Sequence, residues 1–78
     1  MPSAFVLINA EIEFESSIFK ELEKIPNIKE AHVLYGIYDV IAKVEAESMD
    51  KLKEIISRNI RCLAKVRSTL TMIIIEGK

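Results

Sequence analysis

The sequence has no tryptophan, one cysteine, two glycines and two prolines in 78 residues. One cysteine excludes an internal disulfide. Cys62 and His32, the only soft metal ligands, stand far apart and outside any recognised zinc spacing, so no metal site is expected. Gly36 and Gly77 alone exclude a dinucleotide or phosphate loop, which takes several glycines ahead of a helix. One histidine, one cysteine and two aspartates give no Ser/His/Asp or Cys/His set at interpretable spacing. The residues therefore carry no enzyme signature and indicate no cofactor. An excess of positive charge is missing as well: 11 Lys and Arg against 12 Asp and Glu leave a formal net charge of −1. Nucleic-acid modules normally carry a basic patch that neutralises phosphates, so direct DNA binding is not expected. No apolar run approaches the ~18 residues that mark a membrane span. The opening Met1-Pro2-Ser3-Ala4 lacks the charged start of a signal peptide, and the expectation is a cytoplasmic protein.

What the chain does have is apolar side chains, at 50% of its residues. A domain this short buries only about 60% of the surface its unfolded chain exposes, so a lone core is marginal without a disulfide, a metal or self-association. With the first two excluded, self-association is the expected route.

Ala4 to Ile12 alternates with period two, which predicts a strand. Ile18, Phe19, Leu22 and Ile25 then form a helical stripe from Glu15, with Ser16 or Ser17 available as a cap and Pro26 closing it. Ile28–Tyr35 and Tyr38–Glu45 read as two strands of a tight hairpin, with Gly36 supplying positive φ at the turn. Ser48 is placed to cap a second helix whose Met49, Leu52, Ile55, Ile56 and Ile60 share one face. A last strand starts near Val66, with Leu70, Met72 and Ile74 alternating against Thr69, Thr71, Ile73 and Ile75. The order β-α-β-β-α-β predicts an α+β, ferredoxin-like fold, a four-stranded antiparallel sheet with both helices on one face. Its other face should be polar, yet Phe5, Leu7, Ile73 and Ile75, or their opposite-parity neighbours, are apolar. A partner's open face across a two-fold axis satisfies both surfaces, which predicts an obligate dimer packed sheet to sheet. Cys62 reads as a small buried hydrophobe, and His32 as a partly solvated strand residue.

The stretch Ile28 to Ile75 contains Gly36-x-Tyr38-Asp39, an amphipathic helix, Val66-x-x-Thr69-x-Thr71 and an apolar strand. In this order and spacing it resembles the effector domain of the Lrp/AsnC transcription regulators, the RAM domain, named for the regulation of amino acid metabolism. The likeness extends back through Leu22-x-x-Ile25-Pro26-x-Ile28 and the first strand, and so covers nearly the whole chain. It implies a ferredoxin-like dimer, dimers assembled into rings, and small amino acids bound between dimers. Regulators of this family also carry a helix-turn-helix domain. Here the first strand begins by Ala4, so residues 1–78 are expected to form one stand-alone ligand-binding and oligomerisation domain that reaches transcription, if at all, by co-assembly with full-length relatives.

For an amino-acid ligand the resemblance points to five residues. Gly36 lets backbone N–H groups approach a carboxylate, Asp39 takes the ammonium, Thr69 and Thr71 complete a polar wall, and Tyr38 supplies a rigid surface. The competing structural assignment has Asp39 bonding turn backbone, the threonines serving as strand formers and Tyr38 in the core. Two other classes remain open on the residues alone. One is a small dimeric α+β barrel enzyme of oxygenase or isomerase type, with His32 as its only catalytic candidate. The other is a purely structural partner that alters the assembly of full-length regulators. An ACT-type sensor shares the element order, but the Gly36-x-Tyr38-Asp39 and Thr69-x-Thr71 pair fits RAM better.

Overall fold

The computed structural model describes residues 1–75, so Gly77 lies outside the described residues. The elements are β1 (Ser3–Ala10), α1 (Glu15–Glu23), β2 (Ile28–Val33), β3 (Val40–Glu45), α2 (Met49–Ile55) and β4 (Val66–Ile74), with a π-helical turn at Ile56–Ile60 continuing α2. The strands lie in the order β2-β3-β1-β4, and each neighbouring pair is antiparallel. This is the βαββαβ ferredoxin-like arrangement that the element order predicts.

Alternation places the core. Ala4, Val6, Ile8 and Ala10 of β1 are buried, and the register sets Ala4 beside Val44, Val6 beside Ala42 and Ile8 beside Val40. Ile18 and Leu22 of α1 and Leu52, Ile55, Ile56 and Ile60 of the second helical segment close over that face. Small alanines between large β-branched residues let both helices pack down onto the sheet. No polar or charged residue is buried among those described.

The second helix starts as predicted, with Ser48 Oγ accepting from Lys51 N–H at 3.1 Å. After Ile55 the helix widens, and Arg61 N–H donates to Ile56 C=O at 3.0 Å, five residues back. Ile55, Ile56 and Ile60 are all buried across the widening, while Met49, in the first turn of α2, is exposed rather than on the buried face with them. The first helix departs from expectation. Phe14, not a serine, is its N-cap residue and makes no side-chain cap bond. The turn before it is closed by backbone, Phe14 N–H donating to Glu11 C=O at 2.9 Å with Glu13 at φ 73°, so the helix begins before either serine is reached.

The β2–β3 hairpin forms, but not as a tight turn. Residues 34–39 make a six-residue loop, with Leu34 N–H donating to Asp39 C=O at 2.7 Å. Gly36 has no positive φ, and a Cβ built on it meets nothing within 4 Å. A loop of this width reverses the chain through ordinary dihedrals. Among the described residues the left-handed positions are instead Glu13 and Lys65, at φ 73° and 72°.

The open face also refines the expectation. Leu7 stands between Ile41 and Leu70, and Phe5 beside Met72, while Ile73 pairs with Ala4 and so lies on the helix side. The opposite-parity residues Leu70, Met72 and Ile74 therefore make the apolar row. A register shift at Asn9/Ala10 makes Arg67 an extra residue and turns Val66 toward the core. The β2–β3 half of the same face is charged, with Glu30 beside Lys43 and His32 beside Ile41.

Candidate ligand-binding site

The loop of residues 34–39 is tied to the sheet by Asp39. Its backbone N–H donates to Ile8 C=O at 3.0 Å, and its Oδ2 accepts from the Ala10 N–H at 2.8 Å. The second bond extends the β1–β3 ladder through a side chain, so the turn-backbone role weighed for this residue is present. It commits one carboxylate oxygen and leaves Oδ1 as the oxygen for any incoming cation.

Two open hollows meet at Asp39 and Glu15. One, of about 630 Å³, is lined by the end of β1, the turn into α1, Asp39, Arg67 and Ser68. The other, of about 740 Å³, lies under the loop against Val33, Leu34, Tyr35 and Gly36. The first hollow is thus lined by three acidic residues, Glu13, Glu15 and Asp39, together with Arg67. Such a surface is complementary to a molecule bearing both an ammonium and a carboxylate.

Of the five residues derived above, Asp39 and Gly36 line this region, and Tyr38 is half-buried in the same loop. Thr69 and Thr71 pair with Ile8 and Val6 on the helix side of β4 and line neither hollow. Sequence reasoning missed Arg67, Glu15 and Ser68. Arg67 reads as an outward strand residue until the register shift at the start of β4 is known, and that shift leaves only a faint trace as a break in alternation at Val66. Glu13 and Glu15 fall in a turn whose left-handed residue is not a glycine, so nothing in the sequence announces its shape.

His32 lies exposed on β2, its Nε2 3.4 Å from Glu30 Oε1, and lines neither hollow. Cys62 is exposed rather than buried, because the widened helix end turns its thiol outward to donate to Ser57 C=O at 3.2 Å. Among the described residues no group of three His, Cys, Asp or Glu is gathered to hold a metal ion, and no helix is long and apolar enough to cross a membrane.

Residues 3–77 match the family model of the Lrp/AsnC ligand binding domain. The chain belongs to this family. The crystal structure of FFRP-DM1 superposes with a TM-score of 0.92 at 37% identity, over 96% of this chain and 100% of that one. An uncharacterized HTH-type transcriptional regulator of Pyrococcus furiosus is 28% identical over 74 residues, which take in 91% of this chain and 49% of the regulator. Homocitrate synthase of Sulfurisphaera tokodaii is 36% identical over 63 residues, 81% of this chain but 14% of the enzyme. The chain thus spans about half the length of one curated relative and a small part of the other.

Proposed function

We propose that this Lrp/AsnC ligand-binding domain senses a small amino acid at the Asp39 region and works as an oligomer rather than as an enzyme. The observation that carries the reading is the charge arrangement around the fixed carboxylate. Asp39 and Glu15 stand where the two hollows meet, ready for an ammonium, and Arg67 lines the same hollow, ready for a carboxylate. Gly36 and Tyr38 shape the loop side, and Thr69 and Thr71 belong to the strand. Similarity to part of a helix-turn-helix regulator and to part of a biosynthetic enzyme supports the same reading, since ligand sensing is a task that suits both settings. The apolar row of Phe5, Leu7, Ile41, Leu70 and Met72 supports a dimer packed open face to open face, with further assembly of dimers and co-assembly with longer relatives as the route to transcription.

Calorimetric titration with the common amino acids tests this reading, with light scattering on the same samples. Asp39→Asn keeps an acceptor for the Ala10 N–H and removes the charge. Loss of a charged hydrogen bond of about 1.5–3 kcal/mol is expected to weaken binding roughly 10- to 100-fold. Arg67→Gln is expected to weaken it over a similar range. Absence of binding by every amino acid, or unchanged affinity in both variants, would remove the sensor reading.

A further inference from the structure

A third hollow lies between α1 and the segment that joins the second helix to β4. Its volume is about 490 Å³, ordinary for a small-molecule site, and it shares no lining residue with the two hollows that meet at Asp39. Phe14, Ile18 and Leu63 give it apolar walls, and Lys65 and Glu21 its two charges. Those charges are not equivalent. Glu21 is already engaged, its Oε1 3.2 Å from Lys24 Nζ. Lys65 is in no ion pair among the described residues, and its Nζ stands 4.9 Å from the centroid of the Phe14 ring. A ring face attracts an ammonium but does not neutralise it, so the hollow ends in one free positive charge beside an aromatic wall. The backbone at Lys65 is an independent observation. Its φ of 72° is left-handed, a conformation that a Cβ disfavours and glycine takes freely. Its C=O accepts from the Glu11 N–H at 2.8 Å, a bond that glycine would make equally well, so what lysine adds here is its side chain. Left-handed residues other than glycine gather at ligand clamps.

We propose that this hollow binds a small apolar monocarboxylate, an aryl or branched-chain acid without an amino group. The body of the acid lies against Phe14, Ile18 and Leu63, and its carboxylate meets Lys65 Nζ. The missing amino group follows from the charges. An α-amino acid would bring an ammonium beside Lys65, and the one carboxylate in the lining is held by Lys24, so that ammonium would find no partner. A wholly apolar molecule would fill the walls and make no use of the free charge. The site therefore selects differently from the Asp39 region, where three acidic residues and Arg67 suit a zwitterion. The two regions stand on either side of the turn before α1, with Glu13 lining one and Phe14 the other.

The test uses the whole chain and phenylacetate, with phenylalanine and phenethylamine as the same ring bearing an added or an exchanged charge. Amide chemical shifts read the place of binding, and calorimetry reads the affinity. Phenylacetate is expected to bind saturably and to move the amides of Ser17, Leu63, Ala64 and Lys65 while those of Gly36 and Asp39 stay put. Phenylalanine is expected to need roughly ten-fold more to move the same amides, and phenethylamine to leave them unmoved. Lys65→Gln, which keeps the stem and removes the charge, is expected to weaken phenylacetate roughly ten-fold, and Lys65→Arg to restore most of the affinity. Asp39→Asn is expected to leave phenylacetate binding unchanged, and a loss there would place the acid in the Asp39 region and overturn the proposal. Absence of binding, shifts confined to Leu7, Leu70 and Met72 on the open face, or wild-type affinity in Lys65→Gln would overturn it too. Equal potency of phenylalanine at the same amides does the same, since the amino group would then be accepted. Should Lys65→Gln fail to fold, the ligand series and the shift map on the wild-type protein decide.

Discussion

The two faces of the sheet are made from the same strands and end in opposite conditions. On the helix side Ala4, Val6, Ile8, Val40 and Val44 are fully covered, and no polar or charged residue among those described is buried with them. On the open side Phe5, Leu7 and Ile41 are half-covered, Leu70 and Met72 are exposed, and the β2 half bears Glu30, His32 and Lys43. Both sets come from period-two alternation, so one residue of slip would exchange them. The covered face holds the single chain together, and the open face leaves apolar side chains in contact with solvent.

Substitutions on either side sharpen that contrast. Leu52→Ala, which hollows the covered face, is expected to cost about 2–5 kcal/mol in denaturant unfolding, the largest effect here. Leu7→Glu on the open face is expected to leave secondary structure intact by circular dichroism but to lower the mass seen in light scattering; an unchanged mass would show that this face is not a contact. Ser48→Ala removes the acceptor for Lys51 N–H and is expected to lower stability by about 1 kcal/mol. Glu13→Gly is expected to raise the unfolding free energy slightly, by roughly 0.5 kcal/mol in denaturant titration, since glycine adopts a positive φ without the Cβ clash. Lys65→Gly is expected to gain less, because it also removes the ammonium that lies 4.9 Å from the Phe14 ring centroid.

The fold was legible in the sequence because alternation and helical stripes depend on nearest neighbours in the chain. Val6 beside Ala42 follows once β1 and β3 are seen to be strands, and Ser48 is readable as a cap from its position alone. Features that depend on how segments meet were not legible. Gly36 looks like a turn glycine, yet the loop is wide enough not to need one, while Glu13 and Lys65 take left-handed backbone with no residue-type signal. The candidate site divides the same way. Asp39 and Gly36 stand inside a recognisable local motif, but Arg67 joins them only through a bulge in a strand that lies next to β1, and Glu15 only through the fold of the turn before α1.

The chain's two tyrosines both fall in the loop of residues 34–39, Tyr35 at full exposure and Tyr38 half-covered, and there is no tryptophan elsewhere. Apart from weak phenylalanine bands, the near-ultraviolet absorbance and fluorescence of the protein come from that loop alone. A ligand or neighbouring copy that reaches it announces itself in the unlabelled protein, and the rest of the fold stays spectroscopically dark.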